Sequence, residues 1–395
     1  MKGVFGWFKY ILRREWNFLI YKKRKLLIFS LVAPILSFIL IYGVFYEPVT
    51  RNVPIAVIDN DDSDISRKLI TALNVSPDID VAFEAADMKE AERLLLQGEI
   101  YGVALIPGDF SKKVLGYKGA EVPFYYNDQF LLLGSMANRG VISAVEYFSS
   151  KYNKVLAEKD GTPVYASAAR AKPIIFNNKV LFNPYLNYQY FMLPGIFPAM
   201  LQIFIIAAFV YAFGWELKTG SAKEISSAAA EAPFVTIAAK SLPMWIIFIV
   251  NSFIMLCFLF VIVGVPLEGN PWTVILATVL FVLASSSAAG IIIFIGLGSL
   301  RMALSVCAVY AAPAFAYSGV TFPYMGMPEA AKIWAEILPM THYHRVLIND
   351  ALRGASHSGT PWDMLYLFMF FTVTFVIGAL LYRVFIFNPS SWGRQ

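Results

Sequence analysis

Charge is scarce in this sequence: of 395 residues only 15% are Asp, Glu, Lys or Arg, against 58% hydrophobic. A water-soluble fold of that length needs a polar exterior that such a composition does not supply, so the chain reads as a membrane protein. Cysteine is nearly absent. Cys257 and Cys307 both fall inside apolar stretches, which excludes a secreted disulfide scaffold and leaves them as small core-filling residues. Histidine is equally rare, with only His342, His344 and His357. The first two are two positions apart with no Cys nearby, short of the three or four ligands a metal site needs, so they read as structural or interfacial. The phosphate cradle GxxxxGK[ST] is missing too. Its nearest echo, Lys218-Thr219-Gly220-Ser221, has the residues in the wrong order, so ATP could drive this protein only through a separate subunit. Ser285, Ser286 and Ser287 have no adjacent His or acid and read as small residues that let helices approach closely. No catalytic, cofactor-binding or metal-binding residue is assigned.

What the sequence has instead is long runs without charge. Six matter: 26–46, 180–215, 241–267, 269–300, 302–328 and 364–382. Each meets the need of a helix crossing about 30 Å of hydrocarbon, roughly 20 residues, with tilt allowed at the shortest. Six spans are expected, and ionisable groups are missing from all six runs, which argues against a self-energised ion-coupled transporter. The basic residues are placed rather than spread. Residues 1–25 carry eight Lys or Arg against one Glu, and Lys22, Lys23, Arg24 and Lys25 abut the first run, biasing that end to the cytoplasm. Six crossings return the carboxyl terminus to the same side. Lys218, Lys223, Lys240, Arg301, Arg383 and Arg394 then fall on the predicted inner face. This layout gives no nucleic-acid patch. The first run is too long for a signal-peptide core and no small-x-small site follows it, so it is expected to stay as an anchor.

The expected organisation is a cytoplasmic amphipathic helix at 1–25, a first span at 26–46, an extracytoplasmic α/β domain at 47–185, and a five-helix membrane domain at 186–395. Val4, Phe8, Ile11, Leu12 and Trp16 share one face of the first helix, with Lys9, Arg13 and Arg14 elsewhere, which suits a helix lying in the membrane interface with its cations toward lipid head groups. In the inserted domain VPIAVID (53–59), YGVALIP (101–107) and EVPFYYND (121–128) read as strands. ISRKLITAL, capped by Ser63 or Asp64, DMKEAERLLLQGE (87–99), DFSKKVL and a long stretch from Leu131 to Glu158 read as helices. Strands alternating with helices give a small α/β sandwich. A polar, helix-forming inner connection at 214–240 could press on a cytosolic partner. An outer stretch at 319–362 contains MPEAAKIWAEILP, where Met327, Ala330, Ala331, Trp334 and Leu338 keep near-helical spacing, as in a pathway plug or a re-entrant hairpin.

Six segments, together touching nearly the whole chain, resemble the ABC-2 type transporter permeases, in the branch whose large outer domain follows the first span. The most specific is Ser318 to Gly354, with Ser318-Gly319, Phe322-Pro323, Met327-Pro328, then Leu-Pro-x-Thr-His at Pro339, Thr341 and His342, and a closing Leu-Arg-Gly. GWELKTGS (214–221) is similar to the family's Glu-rich turn before the coupling helix, though thinned here to Glu216 and Lys218. The others are FNPYLNYQYFMLPGI (182–196), Arg13-Arg14-Glu15 together with Pro34, VPIAVIDNDDSDISRKL (53–69) and ALIPGDFSKKV (104–114). The resemblance implies an exporter half in a bacterial inner membrane. It implies two permease subunits, alike or paralogous, two cytosolic ABC ATPase subunits, lipid around the spans, and a periplasmic adaptor as a further candidate partner. It places ATPase coupling at Glu216, Lys218, Gly220, Ser221, Lys223 and Glu224, an outer gate in Ser318 to His342, and the interfacial helix at Arg13 to Glu15. Spans with aromatic and aliphatic faces and no charge favour an amphiphilic or hydrophobic substrate. Two other readings stand open: an ATPase-independent receptor or docking protein on the same scaffold, and a membrane enzyme using His342 or His344 as a base.

Overall fold

Inside hydrocarbon a backbone must satisfy its own hydrogen bonds, which turns each long apolar run into a helix. The computed structural model describes residues 3–47, 51–116, 118–129, 131–159, 183, 187–355, 359–388 and 392–393. His357, Arg394, Gln395, part of the 182–196 motif and the return segment after the long helix lie outside the described residues. The chain separates into two units, Val49–Val180 and Met1–Pro48 with Leu181–Gln395.

The larger unit opens with α1 (Val4–Asn17), a π-helical turn (Phe18–Lys22) and α2 (Arg24–Val44). In the inserted unit follow β1 (Val53–Asp59), α3 (Asp64–Asn74), β2 (Ile79–Glu84), α4 (Met88–Gln97), β3 (Gly102–Ile106), α5 (Phe110–Leu115), β4 (Phe124–Tyr126) and α6 (Leu131–Lys159). The sheet order is β2-β1-β3-β4, with β1 parallel to both neighbours and β4 antiparallel to β3. A central strand is buried on both faces, hence the unbroken apolar run of β1. Ala56, Ile58 and Val103 meet Ala91 and Leu94 of α4 on one face. Ile55, Val57, Ala104 and Ile106, also buried, occupy the other by the two-residue period. Of the two proposed caps for α3 the structure uses Ser63: its Oγ accepts from Ser66 N at 3.1 Å, and Ser66 Oγ accepts from Ser63 N at 3.0 Å.

The chain re-enters the larger unit with α7 (Tyr188–Thr219), followed by a 3-10 turn (Ser221–Ile225), α8 (Ser226–Glu231), α9 (Pro233–Cys257, prolonged by a π-helical turn to Ile262) and α10 (Pro271–Ile295). Then come α11 (Leu300–Ala311), α12 (Ala314–Tyr317), α13 (Glu329–Ile337), α14 (Pro339–Val346), a π-helical turn (Leu347–Leu352) and α15 (Thr360–Phe387). Among the described residues six helical stretches are long and apolar enough to cross a bilayer: α2, α7, α9 with its extension, α10, Leu300–Tyr317 and α15. Their ends differ from the uncharged runs. The helices of the second and third candidates run past the first charge, taking in Glu216 and Lys240. The fifth stops at Tyr317 rather than Pro328, because Pro313 bends it and Gly319, at φ +84°, turns the chain away.

α7 is the central helix, packed by α2, α9, α10 and α11. α10 lies along α15 at backbone contact: a Cβ added at Gly290 would stand 2.7 Å from Gly378 Cα. Ser287 and Thr374 share a hydrogen bond at 2.5 Å across the same seam, and Trp245 Nε1 donates to Ser286 Oγ at 2.8 Å. The serine run therefore serves close packing. Cys307 is buried as expected, whereas Cys257 is exposed. Gly290→Leu, which forces the seam apart, is expected to lower stability by about 1–3 kcal/mol in thermal unfolding of the detergent-solubilised protein. Gly43→Ala, with open space around it, should leave the melting temperature unchanged.

Candidate functional site

Between α7 and α9 the chain needs only Gly220 to Ala232 to turn round. Gly220 makes the turn possible: it caps α7 in the left-handed conformation, at φ +72°, where a side chain would be strained. The short return brings the last turns of α7 beside the first turns of α9, and α1 lies across α9. Four ionisable groups from these three helices meet. Arg14 Nη1 donates to Glu216 Oε1 at 2.6 Å, and Lys240 Nζ stands 3.0 Å from the same oxygen. Lys240 also reaches Glu15 Oε2 at 3.3 Å, while Arg14 bonds Glu15. The Tyr382 hydroxyl of α15 shares its one proton between Glu216 Oε2 at 3.2 Å and the Phe213 carbonyl at 3.0 Å. Two cations and two carboxylates balance. The side chains of Glu216 and Lys240 are 0% and 1% exposed, so this pair is hidden from water.

Burial of that depth is tolerated only with complete pairing. Desolvation raises the Glu15 carboxyl above its usual range, with Lys240 opposing. Burial also works against the charge on Arg14, but the Glu216 and Glu15 carboxylates outweigh it and hold the guanidinium above the usual arginine value. From this knot the network reaches the surface: Arg14 Nε donates to Glu224 Oε2 at 2.9 Å, Arg14 Nη2 to the Ser221 carbonyl at 3.3 Å, and Trp7 Nε1 to Glu231 Oε2 at 2.6 Å. One guanidinium thus ties α1 to the end of α7 and to the turn after it.

The coupling residues read from the sequence divide. Lys218, Lys223 and Glu224 are exposed and form a polar ridge with Glu231 along the 3-10 turn and α8, while Ser221 is half-buried. Glu216 is different: wholly buried, it has no surface to offer a partner and acts as the anchor behind the ridge. The head-group reading for the cations of α1 also needs correcting at Arg14, which points into the knot, while Lys9 and Arg13 remain exposed. Lys240, read as a loop cation, belongs to the core of the site. Tyr382 carried no sequence signal. Lys240 did carry one, because Ile237, Met244 and Ile247, three positions before it and four and seven after, keep the helical period of a buried face.

The second set of expected residues gathers around α13 and α14. Ser318 Oγ donates to the Phe315 carbonyl at 2.7 Å, Gly319 turns the chain, Phe322 is exposed beside Pro323, and Met327 is buried. Pro328 and Pro339 start α13 and α14. Thr341 is buried, its hydroxyl unpartnered among the described residues. His342 Nδ1 lies 2.7 Å from Asp363 Oδ1, its Nε2 lies 3.1 Å from the Glu336 carbonyl, and its ring stacks on Tyr366 at 3.7 Å. Arg345 forks onto Glu336. Burial resists ionisation of Glu336, but the hydrogen bonds from Arg345 and Tyr324 outweigh it and hold its carboxyl below the usual range. With both ring nitrogens of His342 engaged and His344 packed away, the geometry gives a structural brace rather than an open base. Among the described residues no cluster of three or more His, Cys, Asp or Glu is placed to hold a metal.

A family model described as an ABC-2 family transporter protein matches residues 24–380. No curated protein matches the chain.

Two outcomes are expected. Lys240→Met and Glu216→Met should each cost about 3–5 kcal/mol by stranding a buried charge. The double variant should recover part of the loss in denaturant unfolding, since it strands less charge. Secondly, burial pushes His344 down from 6.5 to about 4, although its bond to the Gly195 carbonyl opposes this. A depressed folded value means that the unfolded chain takes up the proton first. Stability is therefore present above about pH 6.5 and declines by roughly 3 kcal/mol as pH falls through 4. In melting curves across this window, His344→Gln should remove that part of the acid loss.

Proposed function

This chain belongs to the ABC-2 family of transporter proteins, and from that premise we propose that it is the permease half of an exporter that moves amphiphilic or hydrophobic molecules out of the cytoplasm or the inner leaflet. The family and the apolar helices make it a multi-pass membrane protein, the membrane subunit of an ABC transporter. In the proposed assembly two permease subunits, identical or paralogous, flank the path in a bacterial inner membrane with both termini cytoplasmic. Two cytosolic ATPases drive them, lipid surrounds the spans, and the inserted α/β unit faces outward, where a periplasmic adaptor could engage it.

The observation that carries this reading is the Arg14–Glu216–Lys240 knot behind the exposed ridge of Lys218, Lys223, Glu224 and Glu231. A partner can shift an equilibrium only through contacts that differ between two states. The ridge offers such contacts, and the knot behind it ties them to α1, α7 and α9 at once. A push on the ridge therefore moves helices rather than a floppy loop. The amphiphilic substrate follows from apolar outward helix faces such as that of α2, where Ile28, Phe29, Leu36 and Leu40 are exposed.

Proteoliposomes holding this chain and its ATPase test the reading. Lipophilic dyes and lipid-like probes should be exported on ATP addition. Lys218→Glu with Lys223→Glu should cut transport at least about tenfold and weaken ATPase retention in pull-downs, without changing the melting temperature of the isolated permease. Export of a small charged sugar with no movement of any amphiphile would overturn the substrate class. Full transport with the reversed ridge would overturn the coupling site.

A further inference from the structure

Where the π-helical turn after α1 bends into α2, a cleft of about 610 Å³ opens against α7 and α11. Its rim is the run Lys22, Lys23, Arg24 and Lys25, and its wall is built from Phe29, Ala207, Tyr211 and Leu304. Among the described residues no acid lines it, and Lys22, Arg24 and Lys25 have no carboxylate within ion-pair distance, in contrast to Arg14 eight residues before Lys22, which pairs with three acids. Lys23 is fixed from below: its ammonium sits 2.8 Å from the centre of the Trp215 ring and 3.4 Å from the Tyr211 hydroxyl. Burial and then Lys218 push its pKa down, as expected where cations crowd without a counter-charge.

Four cations facing a cavity with no internal anion call for one from outside. The wall adds a second condition. Phe29 is exposed and lies one turn inside α2, next to Ala207 and Leu304, so the ligand that fills the cleft carries an apolar portion continuous with its charge. We propose that this cleft binds the phosphate head group of an anionic membrane phospholipid, with Arg24 and its neighbouring lysines holding the phosphate and the first acyl carbons lying on Phe29, Ala207 and Leu304. A basic recess between helices at the end of a span suits such head groups, and its volume is that of a small-molecule site. This inference needs only that α2 crosses a bilayer. It does not depend on the export direction, the substrate or the ATPase.

Native mass spectrometry of the full chain, ejected from nanodiscs of phosphatidylcholine with graded phosphatidylglycerol, tests it. The wild type should retain phosphatidylglycerol in preference to phosphatidylcholine. K22Q/R24Q/K25Q should lower that retention at least about tenfold, and Leu304→Trp, which fills the wall and keeps every cation, should lower it as well. Lys9→Gln with Arg13→Gln, exposed cations outside the cleft, should have no effect. Inorganic phosphate alone should neither bind measurably nor displace the lipid. Equal retention of the two lipids by the wild type would overturn the proposal. So would unchanged retention in Leu304→Trp, which would show diffuse attraction to the basic end. Tight binding of inorganic phosphate with no lipid preference would reassign the cleft to a free anion.

Discussion

A charge that enters an apolar helix must bring its counter-charge with it, and the larger unit is built around one place where that condition is met. Glu216 ends the apolar part of α7 and Lys240 begins that of α9; neither reaches water. Each is tolerable only because the other is there, and because Arg14 and Glu15 arrive on a third helix to complete the balance. The tight turn at Gly220, the shortness of α8 and the seating of α1 all serve to keep each of the two cations within about 3 Å of both carboxylates. The polar ridge outside inherits its rigidity from this arrangement.

Much of the fold could be read directly from the residues. Charge-free runs located six candidate spans, and the alternation of VPIAVID, YGVALIP and their intervening helices described much of the inserted unit, including one of the two residues offered as the cap of α3. β2 escaped notice for a physical reason. It is an edge strand with most of its side chains exposed, and in Ile79–Glu84 the apolar stretch is only Val81-Ala82-Phe83, closed off by Asp80 and Glu84 and too short to stand out as a strand. The ends of the spans were misplaced for another reason. Defining a span by the absence of charge stops it at the first Glu or Lys, which is correct for a solvated end and wrong for a paired one. Lys240 was therefore read as part of a loop although Pro233, seven residues earlier, is where the helix starts.

The site was legible by residue but not by role. Arg14, Glu15, Glu216 and Glu224 all stood out in the sequence, yet nothing in a linear string says that Arg14 faces Glu216 rather than a lipid phosphate, 202 positions away. The amphipathic pattern of α1 located its apolar side, and Arg14 lies at the edge of that side, where a fraction of a turn decides between two opposite environments. The basic run at 22–25 shows the complementary case. Its cations are equally conspicuous, but the fold gives them no acid, and the difference between the two groups emerges only when the helices are packed.

The seam between α10 and α15 has a mechanical consequence. At Gly290 and Gly378 there are no side chains to interlock, so the helices touch there along bare backbone, with the Ser287–Thr374 bond just beside it. Helices meshed by large side chains can absorb a displacement by changing rotamers, whereas at this level α10 and α15 meet main chain to main chain, with the hydroxyl pair beside them. A displacement of α10 here is therefore passed straight to α15, with no side chain between them to yield.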